Sequence, residues 1–324
     1  MLSESPVFVL GAPRSGTTLL YHMLVSAGGF ANFRAETHAY SLVGPKFGWL
    51  RSQPQRAAFW EFSQNGFLFE RAGISSDLAE SIVLNRARDV GSFLSEFMSA
   101  ICEEQGVMRW AECTPDHALF MEDIARDFPT ARFIHMLRDG RNVALSLARQ
   151  AWIQSLPLDS LPPEVASAFY WEWIALRART SGLGLGPRYL EIRFEDLVGN
   201  PTRTLAKIGP FLGAELDYEQ ILERGIGSVS RPNTSYPNVR NESPLDRWRS
   251  ADPVVRGHLQ AAIGPALKEL GYEEDTDVTA SPGAHSVWRS AYRTAFTTKH
   301  YTRARTPLGG WLVNAKLLAQ TDLS

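Results

Sequence analysis

The sequence lacks three features that would each define a class of protein. Its 324 residues contain two cysteines, Cys102 and Cys113, which are too few for a disulfide framework or a cysteine-based zinc site. Its net charge of -2 gives none of the basic excess typical of nucleic-acid-binding domains. No run approaches the roughly 18 apolar residues of a membrane span, and residues 1–10 have no secretory signal pattern. We therefore expect a reduced, cytoplasmic protein without an integral membrane segment or a nucleic-acid partner.

Strand-like and helix-like segments alternate along the chain. Apolar runs predict strands at 6–10, 132–137 and 188–194, and periodic segments predict helices at 17–27, 142–151 and 201–212. The last helix has Asn200 as N-cap, Pro201 at its first position and Gly213 beyond its end. A further helix is predicted at 254–270. Alternation of this kind predicts an α/β fold with a central parallel sheet flanked by helices.

Three regions depart from this alternation. Residues 50–110 look mostly helical and are predicted to be an insertion, since the sheet resumes after them. Residues 228–250 are rich in Pro, Ser, Asn and Arg and predict a long functional loop. Residues 281–324 carry six lysines and arginines, one acidic residue and several aromatic residues. We expect a domain over 1–273 and an extension over 274–324, which either packs on the domain or forms a contact surface for an acidic acceptor, an anionic membrane or a second subunit.

The loop after the first predicted strand almost matches a phosphate-binding P-loop. Residues 11–18 read Gly-Ala-Pro-Arg-Ser-Gly-Thr-Thr, and the lysine of the G-x-x-x-x-G-K-[ST] pattern is missing. The amides of residues 15–18 and the hydroxyls of Ser15, Thr17 and Thr18 are predicted to face an anion at the helix N-terminus. Arg14 is the nearest cation. Without the lysine, the loop suits one phosphoryl or phosphosulfate group better than a triphosphate with Mg²⁺.

A second anion site is predicted at the strand that ends at residue 137. Arg138 follows this strand, and Ser146 lies about two turns along the next helix. The two side chains can converge beyond the carboxyl end of the strand. Together with the loop, they predict a nucleotide that has two separated phosphate sites.

These motifs carry a family resemblance. The loop at 11–18 resembles the 5′-phosphosulfate loop of PAPS-dependent sulfotransferases, and residues 137–146 resemble their 3′-phosphate motif. Residues 193–201 and 247–249 are similar to later segments of the same family. The resemblance covers about residues 6–272 and leans towards the tyrosylprotein and carbohydrate branch. It implies a P-loop-type three-layer fold, PAPS as donor, PAP as product and no metal.

The resemblance also implies which residues bind the nucleotide. The 5′-phosphosulfate would be bound by Arg14, Ser15, Gly16, Thr17 and Thr18. Arg14 would also stabilise the transition state. The 3′-phosphate would be bound by Arg138 and Ser146. A late loop that closes over the nucleotide would contribute Arg231, Asn233 and Arg240.

The catalytic base implied by the resemblance is Glu36, because the tyrosylprotein branch has a glutamate in a similar context; His38 is the second candidate.

One position departs from the family. Residues 112–115 read Glu-Cys-Thr-Pro, whereas the family usually has Glu-Lys-Thr-Pro. In the family this lysine helps to stabilise the transferring group. With Cys113 in its place, either Arg14 stabilises that group alone, another cation such as Lys46 takes the role of the lysine, or turnover is weak.

The sequence thus favours transfer of a sulfuryl group from PAPS to a hydroxylated small molecule, sugar or natural product. Two alternatives stay open: a degenerate P-loop kinase or NTPase, and a catalytically weak protein that binds PAP or PAPS. The acceptor is not specified, and the oligomeric state, a homodimer included, is left open.

Overall fold

The computed structural model describes residues 5–157, 159–230, 245–278 and 285–313. Within these residues, a central sheet has the parallel strands β1 (Val7–Gly11), β2 (Ala111–Glu112), β3 (Arg132–Leu137) and β4 (Tyr189–Arg193). Their order in the sheet is β2-β1-β3-β4. The predicted α/β fold with a parallel sheet is confirmed. Because parallel strands end at one edge of a sheet, the loops after β1 and β3 lie side by side there.

Helices surround this sheet. They are α1 (Thr17–Ala27), α2 (Gly44–Lys46), α3 (Gln53–Ser63), α4 (Phe67–Ala72), α5 (Ser76–Ser81), α6 (Val90–Gln105), α7 (Met121–Asp127), α8 (Gly140–Gln150), α9 (Pro163–Leu183), α10 (Phe194–Gly199), α11 (Pro201–Leu212), α12 (Tyr218–Arg224), α13 (Pro253–Glu269), α14 (His285–Arg305) and α15 (Gly309–Leu312). Short 3₁₀ turns lie at Gly48–Leu50, Pro115–Leu119, Gly186–Arg188 and Arg247–Ser250, and π-helical turns at Ala39–Val43 and Ile82–Arg86.

The helices form a layer on each face of the sheet. Side chains alternate between the two faces along a strand, so Phe8 and Leu10 of β1 belong to a core with α6, α9 and α13. Val7 and Val9 belong to a second core with α1 and α11. All five residues of β1 are buried, as expected when both faces of a parallel sheet are covered. The result is three layers.

The predicted strand–helix units are present with small shifts. Helix α8 begins at Gly140 rather than at residue 142, because the Asp139 carboxylate accepts a hydrogen bond from the Arg141 amide at 2.9 Å and caps the helix earlier. Helix α11 begins as predicted, with the Asn200 side chain accepting from the Arg203 amide at 3.0 Å. Strand β2 was not predicted, since its two residues are too short for a periodic signal.

The C-terminal extension packs on the domain through α14. Tyr292 is fully buried against α9, and Arg289 pairs with Glu172. Arg305 forms two hydrogen bonds to Asp123, at 2.9 and 2.6 Å. The domain boundary at residue 273 stays a prediction. In the described part of the chain, no helix is long and apolar enough to cross a membrane.

Candidate active site

Two glycines shape the loop between β1 and α1. A Cβ on Gly11 would lie 2.5 Å from the Met136 carbonyl oxygen, and one on Gly16 would lie 2.3 Å from the Phe194 ring. Both glycines have positive φ, and so does Arg14, at 71°. Strained backbone of this kind is held in place by its surroundings and is common at functional sites. Glycine is therefore required for the loop to approach β3 and the start of α10 this closely.

The polar groups of the loop differ in one detail from the prediction. The Ser15 amide donates to the Ala12 carbonyl at 3.1 Å and closes a turn within the loop, so the prediction that it faces an anion is wrong. The Ser15 side chain is fully buried, and its hydroxyl has no hydrogen-bond partner among the described residues. Thr17 and Thr18 begin α1, where the first amides have no acceptor within the helix. A buried hydroxyl without a partner beside a helix N-terminus fits an anionic ligand.

Arg14, Arg138 and Ser146 meet beside this loop. The Arg14 Nε donates to the Ser146 hydroxyl at 3.1 Å. The Arg138 Nη1 donates to the Arg14 carbonyl at 2.8 Å, and its guanidinium lies 4.2 Å from the centre of the Phe194 ring. Burial, opposed by the attraction of Glu195 and assisted by the charges of Arg247 and Arg14, lowers the pKa of Arg138 to about 10. Arg138 is still a cation at neutral pH.

Residues outside the motif hold Arg138 and the start of α8. The Trp171 indole donates to the Arg138 carbonyl at 3.1 Å, and the Asp139 amide donates to Glu195 at 2.9 Å. Arg141 makes two hydrogen bonds to the Asp139 carboxylate and lies 3.5 Å from the Trp248 ring centre. The sequence indicated the Trp248 segment through the resemblance. It gave no signal for Trp171, which comes from another helix.

Glu36 and His38, the two candidate bases, form a pair. The His38 Nε2 lies 3.0 Å from a Glu36 carboxylate oxygen, and its Nδ1 lies 3.0 Å from the Ser41 hydroxyl. Burial alone would lower the pKa of His38. The hydrogen bond to Glu36 and the charges of Glu36, Asp116 and Glu112 outweigh burial and raise it. A raised pKa keeps the histidine protonated over more of the neutral pH range, and in that form it cannot accept a proton, so this geometry favours Glu36.

A buried carboxylate, Glu112, anchors the segment that carries Glu36. It accepts hydrogen bonds from the Thr37 hydroxyl at 2.8 Å, the Thr114 amide at 3.2 Å and the Thr114 hydroxyl. His117 Nδ1 lies 2.8 Å from it, and His117 Nε2 accepts from the Tyr40 amide at 3.2 Å. Nε2 therefore lacks a proton, and Nδ1 donates to Glu112. Nothing in the Glu-Cys-Thr-Pro segment indicated this role of Glu112 in advance.

Cys113 lies between the loop and Glu36. Burial raises the pKa of its thiol well above the ordinary value; the Glu36 and Glu112 carboxylates raise it further, and a hydrogen bond with Thr17 opposes them. The thiol is thus neutral and supplies no cation. Lys46, the substitute considered above, donates to the Gly310 carbonyl at 2.7 Å and so contacts the C-terminal helices.

A cavity of about 480 Å³ lies between α9 and α14. Ser41 belongs to its wall and also contacts His38, which in turn contacts Glu36. The remaining lining residues are Asp116, Leu119, Phe120, Trp152, Ile153, Gln154, Tyr170, Trp173, Phe296, Lys299, His300, Arg303 and Leu312.

The structure thus gathers the predicted residues into two neighbouring groups. One holds Arg14, Arg138 and Ser146, and the other holds Glu36 and His38; Cys113 lies between them with its bond to Thr17. Arg231, Asn233 and Arg240 fall outside the described residues. Within the described ranges, no group of three His, Cys, Asp or Glu side chains is arranged to hold a metal ion.

Comparisons with known proteins bear on this arrangement. A model of the sulfotransferase family matches residues 6–218. Protein-tyrosine sulfotransferase 1 of Danio rerio is 25% identical over 280 residues, which cover 82% of this chain and 72% of that protein. Protein-tyrosine sulfotransferase A of Caenorhabditis elegans is 25% identical over 286 residues, 84% of this chain and 68% of that protein. The sulfotransferase domain from the curacin biosynthetic pathway superposes with a TM-score of 0.57 at 18% identity, covering 84% of this chain and 99% of that domain.

Proposed function

The chain belongs to the sulfotransferase family, and we propose that it moves a sulfuryl group from PAPS to a hydroxyl of an acceptor bound in the cavity beside Ser41. The observation that carries this proposal is the meeting of Arg14, Arg138 and Ser146 at adjacent strand ends, beside a loop without the P-loop lysine. Two anion-binding groups beside each other suit a nucleotide with separate 3′ and 5′ groups.

The donor would be held at both of its phosphate groups. Ser15, with its buried hydroxyl, and Gly16, Thr17 and Thr18 would hold the 5′-phosphosulfate, and Arg138 and Ser146 the 3′-phosphate. Arg14 contacts Ser146 and belongs to the loop, so it can bridge the two groups. Negative charge grows on the leaving phosphate as the sulfur–oxygen bond breaks. The Arg14 cation and the amides at the start of α1 would stabilise this charge.

Glu36 would act as the general base on the acceptor hydroxyl. The acceptor oxygen forms the new bond to sulfur, its proton passes to Glu36, and PAP leaves. His38 would orient the Glu36 carboxylate through its 3.0 Å contact. Glu112 would hold the backbone of this segment through Thr37. Positioning of these groups supplies most of what an in-line transfer needs.

The test has two parts. Labelled PAPS is offered with a panel of hydroxylated small molecules, and calorimetry measures the binding of PAP, which is 3′,5′-ADP. We expect 3′,5′-ADP to bind and label to reach at least one acceptor, in the presence of EDTA as in its absence. ATP turnover that requires Mg²⁺, together with no binding of 3′,5′-ADP, would establish the kinase or NTPase alternative instead.

A second candidate function is supported by the neutral, buried Cys113 at the position of the family lysine. A protein that binds PAP but transfers sulfate poorly would lack a cation there. The same experiment separates the two, because this candidate predicts 3′,5′-ADP binding without label in any acceptor. The two relatives described above are named for protein tyrosine, so a tyrosine peptide belongs in the acceptor panel.

A further inference from the structure

The cavity between α9 and α14 has the size and lining of a small-molecule site. Its volume of about 480 Å³ lies within the range of roughly 300–1,000 Å³ that is usual for ligand pockets. Five aromatic side chains line it: Phe120, Trp152, Tyr170, Trp173 and Phe296. Aromatic walls can bury an apolar part of a ligand, and they do not neutralise a charged side chain in the same cavity.

Two cations of α14 line this cavity. Lys299 and Arg303 are four residues apart and therefore lie on one face of the helix. The Nε of Arg303 is buried and has no hydrogen-bond partner among the described residues. By contrast, Arg289 and Arg305 of the same helix pair with Glu172 and Asp123. A buried guanidinium nitrogen without a carboxylate partner fits an anion that comes from outside the chain.

The other ionisable groups of the cavity do not neutralise these cations. His300 is uncharged at neutral pH, because burial lowers its pKa to about 4, assisted by the charges of Arg177, Arg305 and Arg303. The Asp116 carboxylate accepts a hydrogen bond from the Tyr170 hydroxyl at 3.3 Å. The cavity lining thus holds two cations, Lys299 and Arg303, and one carboxylate, Asp116, which already accepts a hydrogen bond from Tyr170.

We propose that this cavity selects an anionic acceptor: an alcohol or phenol with an apolar body and a carboxylate, sulfate or phosphate group that binds Arg303 and Lys299. The inference rests on the proposed function for the role of acceptor, since Ser41 in the cavity wall contacts His38, the partner of Glu36. The cations belong to a helix beyond residue 218, where the family match ends. Acceptor choice would therefore be set by the C-terminal extension of this chain.

The test measures binding to the PAP-loaded protein, so it does not depend on turnover. The probes are 3-(4-hydroxyphenyl)propanoate and its amide, which have the same hydroxyl and nearly the same shape. We expect the acid to bind more tightly than the amide, by about 10-fold or more, as hydrogen bonds to a charged group allow. Arg303→Met should remove most of this preference, and Arg303→Lys should keep part of it.

Arg293→Met is the matched control, because Arg293 belongs to the same helix but lines a different groove; it should leave the preference unchanged. Equal binding of acid and amide, no binding of either, or a preference that survives the Arg303→Met, Lys299→Met double variant would overturn the proposal. So would Arg303-dependent binding of an acidic tyrosine peptide when neither small probe binds. Label transfer tests the sulfotransferase function separately, so the two proposals can fail independently.

Discussion

The proposed donor side and the proposed acceptor side of this molecule are built in different ways. On the donor side, Arg14, Arg138 and Ser146 bond to one another at the ends of β1 and β3. On the acceptor side, Arg303 projects from α14 into an aromatic cavity, and its Nε has no partner among the described residues. The residues of the proposed donor site thus hold one another in place through contacts beside the sheet. The proposed acceptor site depends on how α9 and α14, which are distant in the sequence, pack together.

Glu36→Gln tests the junction between the two sides and should have the largest effect. It removes the base but keeps the shape, so kcat should fall by about 10²–10⁴-fold while the affinity for PAP is retained. Single-turnover label transfer and calorimetry measure the two quantities. Glu61→Gln, an exposed change on α3, is the control. A kcat near that of the wild type would move the base role to His38 or to another group.

Arg138→Ala should damage the donor side alone. The loss of a buried cation that hydrogen-bonds an anion corresponds to about 1.5–3 kcal/mol, or roughly 10–150-fold in PAP affinity. Calorimetry measures it, with circular dichroism as a check on folding. Arg132→Ala at the other end of β3, where the guanidinium lies 5.5 Å from the Phe211 ring centre, should leave PAP affinity unchanged. Equal affinities for the Arg138 variant and the wild type would contradict the 3′-phosphate site.

Gly16→Ala should lower stability and donor binding together. The positive φ of 91° and the 2.3 Å approach to Phe194 predict a cost on the order of 1–3 kcal/mol in the free energy of unfolding. Urea denaturation measures it. Gly29→Ala separates the two causes, because Gly29 has a φ of 75° but nothing within 4 Å of an added Cβ. If both variants lose the same stability, the collision with Phe194 contributes nothing.

The smallest effect concerns the pH dependence of stability at His38. Its pKa in the folded protein is raised, since the bond to Glu36 and nearby carboxylates outweigh burial. The folded protein thus holds the proton more tightly than the unfolded chain does. This stabilisation is fully present below the unfolded pKa of about 6.5, and it is lost as pH rises through the folded pKa. The difference in Tm between the wild type and His38→Gln should shrink as pH rises; a constant difference would contradict the pairing.

The sequence predicted the strand–loop–helix units of the proposed donor side because their signals are local. A strand, a glycine-containing loop and a helix follow one another within residues 7–27, and the same plan recurs from Arg132. The Glu112 anchor could not be predicted, since its partner Thr37 lies 75 positions away. Helix α14 was missed although Trp288, Tyr292 and Phe296 recur at intervals of four, which is a helical signal.

The Phe194 ring has a further consequence. It lies against Gly16 of one anion-binding loop and against Arg138 of the other, and it belongs to neither motif. One side chain thus packs against both proposed phosphate sites. We expect the distance between the two proposed phosphate sites, rather than their charge, to decide which nucleotide binds. A ligand whose phosphates form a single chain, as in ATP, would fill one site and leave the other empty. Changes at residue 194 should shift this preference without altering any group that touches the nucleotide.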